Sequence, residues 1–432
     1  MNFLILVFDS LSSLDLNSSQ AKTLNPHIDS LSSKSADFQQ AFTPCPQSSP
    51  ARASLFTGLD PFVHGLWTNG VTLPASPVTF PQILRHAGYD SWLIGRWQLA
   101  GVSNWTTEHI KPDIFNDIQW AHGPVHRSRQ NVYLSWLAQT APQQYQTIFP
   151  AQPDPDNALV TNEQRLAMND LPDELSFNHW VGAKLVQKLS KAEPDKPFVG
   201  VASFVVGDSM GAQRSAEDDQ ELLNLKALQQ ADTAIGTTLK CLDEQGLSKN
   251  TVVILSAARG NGKSTGTEEP KLDGLMQEQF IRVPLLISGP GIAHQEIKTL
   301  VSTIDIAPAI VSLAKVPGSS SMQGESLFSI LSGVQPSRDW ALSRLRSVRQ
   351  DGRLRMVSTL RTRHLKLLVL HGDPSAGTVP LYRLYDLQKD PEEQHDLAAD
   401  EAYENELESM MDIMLDARCA LEDRTEPRIA EF

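Results

Sequence analysis

The chain has 432 residues, of which 41% are hydrophobic and 20% charged, a composition typical of folded globular proteins rather than disordered or fibrous ones. Its 37 Lys and Arg residues and 51 Asp and Glu residues give a formal net charge of −14. A chain this acidic is unlike a nucleic-acid-binding protein, which usually carries a basic face. One local basic pocket would still be enough to bind a small anion, because local potential and net charge are separate properties.

Cysteine usage and the N-terminus indicate the compartment. Cys45, Cys241 and Cys419 are scattered and have the spacing of neither a disulfide framework nor a zinc site. The apolar run over residues 3–8 is followed at once by Asp9, so it is too short for a signal peptide or a membrane span. We therefore expect a soluble, cytoplasmic protein that contacts neither membranes nor nucleic acids.

Short apolar runs alternate with helical patterns over residues 1–333. Continuous apolar runs are typical of parallel strands that helices cover on both faces. Helix candidates at 80–87 and 217–243 lie between such runs. The predicted strands cover residues 3–8, 91–94, 198–204, 252–255 and 284–287. The pattern predicts an α/β fold whose large domain, residues 1–333, is a doubly wound, mostly parallel sheet flanked by helices.

Two further regions differ from this pattern. Residues 103–175 are irregular and rich in Pro, Gln and Trp, which predicts a variable loop region at one edge of the sheet. Residues 334–432 are predicted to form a small C-terminal α+β subdomain with a short antiparallel sheet, strands 354–359, 365–370 and 381–387, and a helix over 400–421. On that helix Leu407, Met410, Met411 and Met414 share one stripe, which indicates core packing.

The segment 43–58, TPCPQSSPARASLFTG, is the first that suggests chemistry. Pro50 suits the first turn of a helix, with Ser48 or Ser49 at the cap and Gly58 at the end. Hydroxyl groups and Arg52 at such a helix start favour an anion. A capped helix without any ligand explains the same pattern, so both interpretations stay open on this segment alone.

This segment resembles the sulfatase signature, in which a Cys or Ser is followed by Pro and then Arg. Ser48, Pro50 and Arg52 stand in register with it, whereas Cys45 does not fit because Gln47 occupies its proline position. Other blocks resemble the family in the same order along the chain: NPHIDSL at 25–31, IGRWQL at 94–99, RVPL at 282–285, STIDIAP at 302–308 and LYDL at 384–387. The chain is identified as a member of the sulfatase family, within the alkaline phosphatase superfamily.

The resemblance implies a site with a divalent cation, Ca²⁺ or Mg²⁺, and a nucleophile made by oxidation of the signature Cys or Ser to formylglycine. It gives these positions: Ser48 as nucleophile, Arg52 and Arg96 as anion-binding cations, Gln98 in place of a histidine, Asp9 as the surviving metal ligand, and Ser10, Ala258 and Arg259 at lost ligand positions. Alanine and a guanidinium offer no lone pair to a metal, and one carboxylate is a poor site for Ca²⁺ or Mg²⁺. A glutamine amide cannot act as a general acid.

Two interpretations follow. The chain is a degenerate sulfatase that has lost its metal site and activity, needs no cofactor, keeps Ser48 unmodified, and binds a small sulfate- or phosphate-bearing ligand. Alternatively, it is a divergent but active sulfate or phosphate ester hydrolase with a site rebuilt from residues such as Asp208, Asp273, His64 or His122. The sequence gives no indication of a protein partner.

The missing metal has one structural consequence. A buried carboxylate without a cation is costly, so an arginine is expected to donate to Asp9 in place of the ion. Arg259 is the first choice because it occupies a ligand position, and Arg52 or Arg96 comes next.

Overall fold

The computed structural model describes residues 1–17, 24–102, 106–150, 160–206, 217–262, 274–334, 336, 338–348, 354–373 and 377–422. These residues form an eight-stranded sheet with helices and a four-stranded antiparallel sheet near the C-terminus, which confirms the predicted α/β fold class. No helix in the described ranges has the length and apolar character that crossing a bilayer requires.

The large sheet is mostly parallel and has β1 near its centre. Its strands are β1 (Asn2–Ser10), β2 (Ala36–Phe42), β3 (Asp90–Gly95), β4 (Asp117–Trp120), β5 (Phe198–Phe204), β6 (Thr251–Arg259), β7 (Leu285–Ser288) and β8 (Gln295–Ser302), in the order β4-β3-β5-β1-β6-β7-β2-β8. β1 pairs in parallel with β5 and β6, while β7 runs antiparallel to both of its neighbours. The five predicted strands correspond to β1, β3, β5, β6 and β7, whose apolar side chains are buried.

Helices cover both faces of this sheet. They are α1 (Ser13–Asn17), α2 (Pro26–Ser32), α3 (Ser48–Thr57), α4 (Pro61–His64), α5 (Phe80–His86), α6 (Val132–Thr140), α7 (Pro142–Ile148), α8 (Asn162–Asn169), α9 (Phe177–Leu189), α10 (Glu217–Glu244), α11 (Glu278–Ile281), α12 (Ile306–Leu313) and α13 (Leu327–Leu331). The predicted loop region 103–175 contains β4 and α6 to α8, so it is more regular than expected. Its aromatic residues explain this, since Tyr133 packs edge-on against Phe177 and Trp180.

The small sheet has the order β12-β11-β10-β9 and consists of β9 (Ala341–Val348), β10 (Leu354–Arg361), β11 (Leu365–Leu370) and β12 (Leu381–Asp386). One face packs on α14 (Glu404–Glu422) through Met410 and Met414. Met411 is 38% exposed, so the prediction that it belongs to the buried stripe is wrong. The other face packs on the large-sheet part of the molecule, around Phe42 and Cys45. The domain boundary at residues 333 and 334 stays a prediction.

Buried ion pairs cross the seam between the two sheets. Lys366 is fully buried, and its Nζ lies 2.7 Å from an Oε2 of Glu393 and 3.8 Å from Oε1 of Glu278. Arg344 on β9 is buried as well and pairs with Asp60, which precedes α4. Further pairs there are Arg338 with Asp305 and Arg361 with Glu278. The seam therefore combines apolar contacts with charges that are taken out of water.

Candidate functional site

The carboxyl ends of β1, β3, β5 and β6 meet at one edge of the large sheet, which is where ligand sites lie in open α/β folds. Asp9 stands at the end of β1 and is 2% exposed. Arg96 directly follows β3, and Ser203 lies near the end of β5. The order of the strands in the sheet thus brings together side chains that are far apart in sequence.

Each oxygen of Asp9 contacts a guanidinium. Nη2 of Arg52 lies 3.3 Å from Oδ1, and Nη1 of Arg96 donates to Oδ2. Arg52 is completely buried on α3 and also donates to Oγ of Ser203 at 2.6 Å and to the carbonyl of Arg96 at 3.2 Å. Burial lowers the pKa of the Arg52 guanidinium, and the charge of Asp9 opposes that shift. An arginine remains charged under such conditions, so the cluster is ionic.

Arg259, the arginine expected first at Asp9, is placed differently. Its Nη1 donates to the carbonyl of Gly260 at 3.1 Å, and the contacts to Asp9 come from Arg52 and Arg96 instead. The strand register gives the reason. Ser10 pairs with Arg259, and successive side chains along a strand point to opposite faces, so Arg259 lies on the face away from Asp9.

The other two positions that the family resemblance assigns to metal ligands are Ser10 and Ala258, and both take part in other hydrogen bonds. Oγ of Ser10 donates to the carbonyl of Val206 at 2.7 Å. Ala258 is 1% exposed, and its carbonyl accepts from Oγ1 of Thr43 at 2.7 Å. Both residues therefore take part in hydrogen bonds that connect the ends of the strands to neighbouring segments.

The signature helix α3 starts as the sequence indicates, but its cap differs. Gln47 occupies the N-cap, not Ser48 or Ser49, and the backbone N–H of Ser49 donates to Oδ1 of Asn69 at 3.0 Å. Ser48 is 7% exposed at this helix start. Gly58 ends the helix as predicted, at φ 67°, a left-handed conformation that glycine adopts readily.

The loop after β3 is organised by a carboxylate that sequence reasoning missed. Glu108 accepts from the backbone N–H groups of Gln98 at 2.9 Å, Leu99 at 2.6 Å and Ala100 at 3.0 Å, and from the indole of Trp120 at 3.0 Å. Burial raises the pKa of Glu108, and these hydrogen bonds oppose the shift. Nothing around position 108 in the sequence marks it, because its partners come from two separate segments.

Gln98, at the family's histidine position, is held by this arrangement in a left-handed conformation with φ 67°. Its Oε1 is buried and has no hydrogen-bond partner among the described residues. An amide oxygen left in this way can accept a hydrogen bond, but it cannot protonate a leaving group.

Two of the four residues proposed for a rebuilt site, His64 and His122, lie in the described ranges. The carbonyl of His122 accepts from Nε of Arg96, and burial together with the charge of Arg96 holds the pKa of the His122 ring well below its usual value. His64 is 1% exposed, and its Nε2 lies 3.0 Å from Oγ of Ser54 within the core. Asp208 and Asp273 lie outside the described residues.

The described donor set does not fit Ca²⁺ or Mg²⁺. These cations require several oxygen ligands, whereas both oxygens of Asp9 are paired with arginines and Ala258 has no donor. In the ranges that the structure describes, no group of three or more His, Cys, Asp or Glu side chains is arranged to hold a metal ion.

Two family models match the chain. The model Sulfatase covers residues 1–316, and the model N-sulphoglucosamine sulphohydrolase, C-terminal, covers residues 273–419. An ulvan-active sulfatase of Formosa agariphila is 26% identical over 329 residues, which are 73% of this chain and 61% of the relative. An uncharacterized sulfatase of Escherichia coli is 24% identical over 461 residues, covering 96% of this chain and 86% of the relative.

Solved structures share the fold. A phosphonate monoester hydrolase from Silicibacter pomeroyi superimposes with a TM-score of 0.76 at 17% identity, over 98% of this chain and 96% of that one. A protein solved in complex with its substrate D-glucosamine-2-N,6-O-disulfate gives a TM-score of 0.65 at 17% identity, over 99% of both chains. Identities this low establish a common fold only. With a family model matched over residues 1–316, the chain belongs to the sulfatase family.

Proposed function

We propose that this sulfatase-family protein binds a small sulfate- or phosphate-bearing ligand and has lost metal-dependent ester hydrolysis. The observation that supports the proposal is the pairing of Asp9 with Arg52 and Arg96 at the end of β1. This is the position at which the family resemblance expects an acidic metal ligand.

Charge at the site favours an anion over a cation. Two guanidinium groups and one carboxylate leave an excess of one positive charge at Asp9, Arg52 and Arg96. A divalent cation would have to displace both arginines from the carboxylate, and breaking a buried ion pair in that way is strongly unfavourable. An anion at the Ser48 end of α3 would meet the excess positive charge and the helix N-terminus.

The ligand class is inferred from the relatives. The relative from Formosa agariphila is named for activity on ulvan, and one structural neighbour is bound to a disulfated glucosamine. This chain spans 61% of the former's length. We infer a sulfated sugar as ligand, since a sulfate group suits the surviving positive charge.

Calorimetric titration of metal-stripped protein with Ca²⁺ and Mg²⁺ tests the loss of the metal site. We expect no binding at millimolar metal. The Asp9→Asn variant is the control, because it removes the carboxylate that contacts Arg52 and Arg96. Micromolar one-to-one binding that Asp9→Asn abolishes would contradict the proposal.

The alternative is an active hydrolase with a rebuilt site, and the position of His122 beside Arg96 favours it most. A screen of sulfate and phosphate esters tests it, with His122→Gln as the matched variant. We expect no turnover by the wild-type protein. Peptide mass spectrometry is expected to find unmodified serine at Ser48, and an aldehyde there would support the active alternative.

A further inference from the structure

The segment after α3 runs back along that helix toward its N-terminal end. Asp60 follows the helix C-terminus, Nε2 of His64 lies 3.0 Å from Oγ of Ser54, and Oδ1 of Asn69 accepts from the N–H of Ser49 at 3.0 Å. Trp67 therefore lies on the stretch between the contact at Ser54 and the contact at the helix start. That start carries Ser48.

Strand β9 runs alongside this segment, and two of its arginines lie over aromatic rings of the segment. The guanidinium of Arg344 lies 4.2 Å from the ring centroid of Phe62, and that of Arg346 lies 4.4 Å from the ring centroid of Trp67. Alternate residues of a strand share a face, so Arg344 and Arg346 make these two contacts from the same face of β9. The contact between Arg346 and Trp67 is the one nearer the Ser48 end of α3.

The two arginines differ in what else they contact. Arg344 is buried and pairs with Asp60, whereas Arg346 is partly exposed and makes no hydrogen bond or ion pair with any residue that the structure describes. Trp67 is partly exposed too. Among the described residues, the guanidinium of Arg346 thus has no hydrogen-bond acceptor, and it lies over the Trp67 ring.

We propose that Trp67 and Arg346 form a rim subsite that binds a second anionic group on a sulfated sugar whose first sulfate lies at the Ser48 end of α3. The inference rests on the proposed function and adds a preference for ligands that carry two anionic groups. A planar guanidinium matches the oxygens of a sulfate with two parallel hydrogen bonds. The exposed part of the Trp67 ring provides an apolar surface for the sugar itself.

Calorimetry with the full chain tests the subsite, using D-glucosamine-2-N,6-O-disulfate and glucosamine 6-O-sulfate as probes. The wild-type protein is expected to bind the disulfate more tightly. Arg346→Met keeps an apolar stem on Trp67 and removes the charge, so it should weaken disulfate binding by about tenfold, the loss of one charge-assisted contact. Binding of the monosulfate should not change.

Arg363→Met is the control, since Arg363 is exposed in the turn after β10, beyond the opposite end of β9. It should leave both affinities unchanged. Should Arg346→Met fail to fold, Arg346→Lys replaces it, because a lysine keeps the charge and loses the paired hydrogen bonds; part of the disulfate preference should then disappear.

The outcomes separate the two proposals. A wild-type protein that prefers the disulfate, with the preference intact in Arg346→Met, overturns the rim subsite and leaves the proposed function standing. Equal binding of both sugars by the wild type does the same. If the wild type binds neither sugar, both proposals are wrong.

Discussion

Asp9 illustrates how much a single buried carboxylate constrains its surroundings. Moving an ionised carboxylate out of water costs several kcal/mol unless opposite charges and hydrogen bonds replace the water. Arg52 and Arg96 supply both, and Arg52 is fixed in turn by Ser203 and by the backbone of Arg96. The three ionic side chains therefore act as one structural unit.

Removing Arg52 should expose this dependence. Arg52→Met deletes one of the two guanidinium partners of Asp9, so we expect the free energy of unfolding to fall by about 3 kcal/mol. Urea denaturation measures it. Adding Asp9→Asn to the same protein should cost less than the two single changes together, because the neutral amide no longer needs the arginine. If the losses in unfolding free energy from the two substitutions simply added, Asp9 and Arg52 would not act as one structural unit.

At this scale the sequence could identify Asp9 but not its partners. The carboxylate directly follows an apolar strand, which marks the end of β1 in any parallel sheet. Which arginine reaches it depends on the register between β1 and β6 and on how α3 lies against β3, and those are set by tertiary packing. Arg259 is the first choice from the sequence because it occupies a ligand position in the family pattern, and the alternation of faces along β6 turns its side chain away from Asp9.

Among the elements, the loop after β3 is held by Glu108 in a conformation that Gln98 does not favour. A left-handed conformation costs a residue with a Cβ about 1 kcal/mol relative to glycine. Gln98→Gly should therefore raise the free energy of unfolding by up to about 1 kcal/mol.

The same substitution elsewhere provides the control. Gln187 lies exposed in the last turn of α9, where Gln187→Gly should lower the free energy of unfolding by up to about 1 kcal/mol because glycine is a poor helix former. Thermal denaturation of the two variants shows whether the free energy of unfolding rises in one and falls in the other. A destabilised Gln98→Gly protein would mean that the side chain of Gln98 contributes more than its backbone conformation costs.

The free energy of unfolding should depend on pH through His371, which directly follows β11 and whose Nε2 lies 2.8 Å from Oγ of Ser358. Burial, with smaller effects of Arg418 and Arg344, lowers the pKa of this histidine from 6.5 to about 4. As the pH falls below 6.5, the unfolded chain takes up a proton that the native protein does not, so stability is lost between these two values. His371→Gln should show a smaller fall in unfolding free energy over this range. If the unfolding free energies of the two proteins fell in parallel with pH, His371 would not be the group responsible.

In the large sheet, the strands that face the core on both sides were predictable from the sequence, whereas β2 and β8, which carry several polar residues, were not. β2 (ADFQQAF) and β8 (QEIKTLVS) pair with each other at one end of the sheet, where several of their side chains reach solvent. β9 also lacks a clear pattern, because Arg344 and Ser343 are buried by partners in distant segments. In each case the position of the polar residue is explained by tertiary contacts, which the local sequence does not reveal.

For the molecule as a whole, the seam between the two sheets depends on matched charges. A buried pair adds little net stability over an apolar contact, but removing one member leaves an uncompensated charge. Lys366 sits between Glu278 and Glu393, both of which are also buried or nearly so. The seam is therefore sensitive to single changes in a way that an apolar interface is not.

Lys366→Met should lower the free energy of unfolding by about 3 kcal/mol, because it strips a cation from two buried carboxylates. Lys389→Met is the matched control: Lys389 is 71% exposed beside Asp386, and water screens that pair, so little change is expected. Differential scanning calorimetry of the two variants measures the difference. Equal stability of the two variants would show that the seam does not depend on Lys366.

The arginine pairing at Asp9 also bears on how this sequence can change over generations. Ala258 is 1% exposed, so an aspartate introduced there alone would be a buried charge without a prepared partner. Losing Arg52 or Arg96 alone would remove one of the two guanidinium groups that contact the buried carboxylate of Asp9. Each of these single changes is therefore expected to lower the free energy of unfolding in the absence of a bound metal. Selection for a folded protein would then act against these changes whenever they arise singly.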